Sequence, residues 1–118
     1  MRVSALAYGA VSRVSKLGAA LLMTATMAQA ETVTVAALGD SLTAGYGLSQ
    51  EDGFVPQLEA WLKDQGADVN IVNAGVSGDT TAGGLSRAAW TLTPEVDAMI
   101  VALGGNDFLR GLDPAVSR

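Results

Sequence analysis

The segment Leu38-Gly39-Asp40-Ser41-Leu42-Thr43-Ala44-Gly45-Tyr46-Gly47 sets a serine on a glycine-lined turn directly after the apolar, β-prone run Val33 to Leu38. A hydroxyl displayed there is placed to attack a carbonyl. It is a weak nucleophile until a neighbouring base takes its proton, and the usual base is histidine. The 118 residues contain no histidine. Two more polar glycine motifs follow, Asn73-Ala74-Gly75-Val76-Ser77-Gly78-Asp79-Thr80-Thr81 and Gly104-Gly105-Asn106-Asp107. Gly78 lets the backbone approach a ligand and offers an unhindered N–H, and Asn106 can direct a side-chain amide into the same cleft. With the Ser41 N–H, these make three donors for a tetrahedral oxyanion. Each motif also has an ordinary reading. Ser41 after Gly-Asp suits a turn or helix cap, Asp79 or Thr80 suits the cap of the next helix, and Asn106-Asp107 suits a turn.

The elements that must position these motifs follow from hydrophobic pattern. Val33 to Leu38 is a short continuous apolar run ending at Gly39, as in a strand buried on both faces. Leu42 onward is read as a short helical turn whose amides point back towards the hydroxyl. Phe54 to Gln65 repeats apolar residues as Val55, Leu58, Trp61 and Leu62, with Pro56 in the first turn and Gly66 just past the end, which predicts a helix. Val69 to Ala74 reads as a second strand ending in Gly75. A second helix is predicted over Thr81 to Leu92, with Leu85, Ala88, Ala89 and Leu92 on its inner face, although Gly83 and Gly84 count against it. Pro94 stops that helix, and Val96 to Leu103 is a third apolar strand. Strands separated by helix-length crossovers lie parallel with right-handed connections, so the order βαβαβ predicts an α/β sheet covered by helices. In such sheets the site lies outside the carboxyl ends of the strands, and all three motifs fall there.

These three motifs, in this order and placement, resemble the first blocks of the SGNH, or GDSL, hydrolase family of serine esterases and lipases. Bacterial periplasmic arylesterases, acyl-CoA thioesterases and lysophospholipases are the most similar branch. The resemblance is carried by Gly39-Asp40-Ser41-Leu42-Thr43-Ala44-Gly45-Tyr46, Ser77-Gly78-Asp79-Thr80 and Leu103-Gly104-Gly105-Asn106-Asp107, followed by Leu109-Arg110-Gly111. It spans about Val33 to Leu112. It implies a three-layer, flavodoxin-like α/β fold with a parallel sheet, incomplete at the C-terminus, residues 31–118 being the amino-terminal part of the hydrolase domain. It also implies Ser41 as nucleophile and an oxyanion hole of the Ser41 N–H, the Gly78 N–H and the Asn106 side chain, with Gly75 a weaker candidate. The reaction expected is hydrolysis of a small-molecule ester, thioester or lysophospholipid through an acyl-enzyme, with no metal or cofactor. The family's Asp-x-x-His block, which supplies the base, has no counterpart here, since the third residue after Asp113 is Val116. The expectation is therefore an amino-terminal piece of an esterase, inactive or nearly so by itself.

Tyr46, Leu48, Phe108, Leu109 and Leu112 line an acyl or aryl pocket or belong to the core, alternatives that apolar identity alone does not separate. Arg110 reads as a solvated loop charge. A competing reading takes Asp40, Asp79 and Asp107, all after strands, as a divalent-metal cluster for phosphoryl transfer. A third is a non-catalytic acyl-binding or interaction domain.

Arg2, Arg13 and Lys16, the apolar stretch Leu17 to Met27 and the small-x-small ending Ala28-Gln29-Ala30 read as a cleaved signal peptide over residues 1–30. The apolar run is shorter than the roughly 18 residues that span a bilayer, so the expectation is a periplasmic or secreted protein with no stable membrane anchor after cleavage. Residues 31–118 keep four basic against twelve acidic residues, a net charge of −8, which makes nucleic acid an unsuitable partner. With no cysteine, no disulfide can brace the exported chain. Oligomeric state is not encoded in any pattern of the sequence. A parallel sheet of three strands leaves an edge unpaired and apolar faces uncovered, so residues 31–118 alone are expected to be poorly soluble.

Overall fold

A computed structural model describes residues 30–117; all but the last residue of the expected signal segment lies outside the described residues. The elements are β1 (Val33–Gly39), α1 (Ser41–Ala44), a 3₁₀ turn at Gln50–Asp52, α2 (Phe54–Asp64), β2 (Val69–Gly75), α3 (Thr81–Thr91), β3 (Ala98–Ala102), α4 (Gly105–Leu109) and a 3₁₀ turn at Pro114–Ser117. The sheet order is β2-β1-β3. Both pairings are parallel, running in register from Val33↔Val69 to Gly39↔Gly75 and from Val35↔Ala98 to Gly39↔Ala102. The chain thus steps outward to one side of β1 and then to the other. With right-handed crossovers this puts α2 and α3 on opposite faces, making three layers with a topological switch point at the end of β1.

Side-chain alternation confirms the layering. Val55, Leu58 and Leu62 of α2 pack on Val35, Ala37, Val69 and Ile71 from one face of the sheet. Ala36 and Leu38, pointing to the other face, are also buried, as expected for the central strand. Trp61, expected to share the buried stripe of α2, is instead 60% exposed. On the second face the contact is made by Gly84 rather than by the anticipated leucines. A Cβ at Gly84 would stand 2.1 Å from Leu103 Cδ1, so only glycine lets α3 come this close. Leu85, placed by sequence on the inner face, is 79% exposed, and β3 keeps Val101 63% exposed. The helix period was read correctly but its phase was set by a neighbour distant in sequence.

The outer edge of β2 is protected by a charge. Glu59 of α2 accepts a 2.7 Å bond from the Ile71 N–H, which has no strand beyond it. The bond from the Lys63 ammonium, and after it the Ile71 N–H, hold the Glu59 carboxyl below the usual range. No helix among the described residues is long and apolar enough to cross a membrane.

Candidate active site

β1 ends in Gly39 and Asp40 caps α1, its Oδ1 accepting the Leu42 N–H at 3.0 Å. This makes Ser41 the first helical residue, half-buried at the carboxyl end of the central strand. Gly45 ends the turn in the left-handed region at φ +86, which is why the helix is four residues long. The Ser41 N–H, as the first helical donor, is free of the intrahelical ladder. Among the described residues neither the Ser41 N–H nor the Gly78 N–H donates to another backbone group.

After β2 the chain turns through Gly78, at φ +82, into Thr80, whose hydroxyl caps α3 by accepting the Gly83 N–H at 3.2 Å. Past β3, Gly104 (φ +113) starts α4, and Asn106 stands on its first turn. One side chain gathers these segments. Asn106 Nδ2 donates to the Asp79 carbonyl at 2.8 Å and lies 3.5 Å from Asp40 Oδ2. Its amide therefore sits between the neighbour of Ser41 and the neighbour of Gly78, so the three motifs that the sequence placed at one sheet edge do meet. Gly75, the weaker donor candidate, has its N–H bound to Asn73 Oδ1 at 2.9 Å and is not free to serve.

The three aspartates of the metal reading go to three different partners. Asp40 caps α1, Asp79 pairs with Arg87, and Asp107, itself buried, accepts from the Thr81 N–H at 2.9 Å and the Thr81 hydroxyl at 2.6 Å. No cluster of three or more metal-ligating side chains forms among the described residues. The Thr81 hydroxyl bond is the largest influence holding the Asp107 carboxyl below its usual range; burial opposes it, and the Thr81 N–H adds to it.

Of the apolar candidates, Tyr46 (80%), Phe108 (81%) and Leu109 (79%) are widely exposed, as is Leu48; none belongs to the core of the described residues. Arg110, read as a solvated charge, donates to the Gly78 carbonyl at 2.7 Å and ties α4 to the glycine turn. Arg87 was not singled out by sequence. Its guanidinium donates through Nε to Asp79 Oδ2 (2.8 Å), through Nη1 to the Ala74 carbonyl (2.7 Å) and through Nη2 to the Gly39 carbonyl (2.9 Å). The available signal was its spacing: three residues after Gly84, it shares the inner face of α3, where a charge needs partners.

A half-buried serine and a polar cluster at the switch point of a parallel α/β sheet define the class of protein, since such sheets bind ligands there. Residues 37–118 match the GDSL-like Lipase/Acylhydrolase family, and the chain belongs to it. It is 46% identical over 97 residues to Esterase TesA of Pseudomonas aeruginosa strain PAO1, covering 81% of this chain and 47% of that protein. To the Thioesterase 1/protease 1/lysophospholipase L1 of Escherichia coli strain K12 it is 40% identical over 96 residues, covering 80% and 43%. Among solved structures it is similar to AlinE4, an SGNH-hydrolase family esterase, with a TM-score of 0.71 and 48% identity, covering 75% of this chain and 49% of that one. The parallel α/β arrangement expected from sequence is thus that of SGNH hydrolases, in the part of the fold present here. The chain spans about half the length of the curated relatives it matches.

Proposed function

We propose that the protein is a serine esterase that hydrolyses carboxylic esters or thioesters through an acyl-enzyme on Ser41. The observation that carries this is the placement of Asn106 between Asp79 and Asp40, which assembles the three motifs into one polar site. Ser41 Oγ attacks the substrate carbonyl carbon while a base takes its proton. The carbonyl oxygen becomes an oxyanion held by the N–H groups of Ser41 and Gly78 and by Asn106 Nδ2. One Asn106 amide hydrogen is engaged by Asp79 and fixes the plane; the other, loosely held near Asp40, turns to the oxyanion. Collapse of the intermediate expels the alcohol or thiol, which leaves with the proton, and water then hydrolyses the acyl-Ser41 ester by the same path. With no histidine among the 118 residues, the base comes from outside them, in the role that an Asp-x-x-His block fills in the family.

The exposed Tyr46, Leu48, Phe108 and Leu109 form the apolar wall for the acyl or aryl group of an ester, thioester or lysophospholipid. Residues 1–30 direct the protein to the periplasm or the exterior of a bacterium and are removed. The test is hydrolysis of a short aryl ester by the protein expressed from its complete gene, with Ser41→Ala alongside. Loss of turnover in Ser41→Ala, and labelling of Ser41 by an organophosphonate located by peptide mass spectrometry, are expected. Turnover that survives Ser41→Ala overturns the reading.

A further inference from the structure

We propose that Arg87 is a positioning residue that locks the three oxyanion-donor segments to one another; the proposal rests on the esterase reading above. Its fork reaches the carbonyls of Gly39 and Ala74, at the ends of the adjacent strands β1 and β2, and the carboxylate of Asp79 in the loop beyond. Each acceptor leads directly to a donor. Gly39 is two residues before Ser41, Ala74 opens the turn that presents Gly78, and Asp79 follows Gly78 and offers the carbonyl that orients the Asn106 amide. One rigid, planar group thereby ties the Ser41 segment directly to the Gly78 segment, and the Asn106 segment joins them through the Asp79 carbonyl. A lysine at position 87, with a single ammonium on a flexible stem, lacks the fork that spans these acceptors.

Electrostatics reinforces the geometry. The side chains of Arg87 and Asp79 are only 12% and 13% exposed, so their charges face each other largely out of water. Arg87 neutralises an acid one residue from Gly78, beside the place where negative charge develops during acylation. Without the guanidinium, the Asp79 carboxylate stands unpaired there and opposes the oxyanion. Placement of the donors and suppression of that charge both matter more in the transition state than in the substrate complex, so their loss appears in kcat rather than KM.

The experiment uses the protein from its complete gene and compares wild type with Ser41→Ala, Arg87→Lys, Arg87→Gln and Asp79→Asn on a short aryl ester, with thermal unfolding and phosphonate titration of Ser41 to count competent sites. Per competent site, Arg87→Gln is expected to lose about 100-fold in kcat, the scale of one oxyanion donor, with KM within about threefold, and Arg87→Lys to recover less than about tenfold of that loss. Asp79→Asn keeps the contacts of Arg87 to both strands. It leaves the Arg87 charge without its carboxylate partner in a pair only 12% and 13% exposed, so its melting temperature is expected to fall. Its kcat per competent site is expected to fall about tenfold through release of the loop that carries Gly78, and it decides the matter if the Arg87 variants do not fold. Retention of wild-type kcat per competent site by folded Arg87→Gln, or by Asp79→Asn, overturns the proposal. Turnover that survives Ser41→Ala refutes the esterase reading instead, so the two failures are separable.

Discussion

Gly75→Ala tests whether the serine turn is held by backbone contact. A Cβ built on Gly75 meets Ala44 N at 2.3 Å, Ala44 Cα at 2.7 Å and the Thr43 carbonyl carbon at 2.8 Å. All three are main-chain atoms, which cannot step aside by changing rotamer. Ordinary contact begins at 3.4 Å, so the end of β2 and α1 must part by about 1 Å. Because Ala44 N donates to the Asp40 carbonyl at 2.9 Å, the strain passes straight to the residue before Ser41. Overpacking of this kind costs about 1–3 kcal/mol, or about 2–12 °C in Tm for a protein of about 150–250 residues. An ångström of displacement at a nucleophile costs about 100-fold in rate. Gly66→Ala is the control. It sits at φ +87 with nothing within 4 Å, so it bears only a left-handed penalty of about 1–2 kcal/mol and leaves kcat alone. The assays are thermal unfolding and aryl-ester turnover of the protein from its complete gene. Gly75→Ala with wild-type Tm and wild-type kcat would show that the approach of α1 to β2 does not position the serine.

Asn106→Ala is expected to lower kcat by about 100- to 1000-fold with little change in KM, measured on the same ester, because it removes a donor used only in the transition state. For Asp107 the sign follows from its lowered pKa: the stabilisation is fully present above the unfolded value, about pH 4, and drains as pH falls through the lower folded value. Urea midpoints of wild type and Asp107→Asn should therefore differ at pH 7 and converge in strong acid; a gap that persists unchanged there assigns the effect to something other than the charge. Residues 31–118 expressed alone should bind a hydrophobic dye and associate in light scattering, since Leu85 and Val101 are exposed beside the unpaired edge of β3. A cooperative unfolding transition from a soluble monomer would refute that.

What the sequence disclosed and what it hid divide along a physical line. β1, β2 and α2 were legible almost to the residue, because a continuous apolar run closed by Gly39 or Gly75, and a helical stripe closed by Gly66, are signals contained within one element. The inner face of α3 was not, because the close approach at Gly84 depends on Leu103, just past the end of β3. α4 was read as a turn; five residues are too few to show a period, and the left-handed Gly104 that starts it resembles a turn glycine. Ser41, Gly78 and Asn106 were singled out through their motifs, whose segments the structure brings together. Arg87, bonded across 48 residues, leaves no local trace beyond a charge on an apolar face, and although Arg110 and Asp107 stood in the motifs, their bonds across 32 and 26 residues were not legible.

The same division bears on catalysis. Every group proposed to stabilise the oxyanion comes from the stretch between β1 and α4, and those groups are bound to one another through Asn106, Arg87 and Arg110. A preorganised set of donors needs mutual rigidity, which a single βαβαβ unit supplies around its switch point. The base has a different requirement: it must reach Ser41 Oγ from the open side of the cleft, so it can arrive on a separate segment without disturbing the donors. Triad deletions in serine hydrolases leave about 10³–10⁴-fold acceleration over water from the oxyanion hole and binding alone. In the protein from its complete gene, replacing only the base should therefore leave a residual rate of that order, and combining that change with Asn106→Ala should remove most of it. A residual rate indifferent to Asn106 would mean that the donor assembly described here is not where the transition state is held.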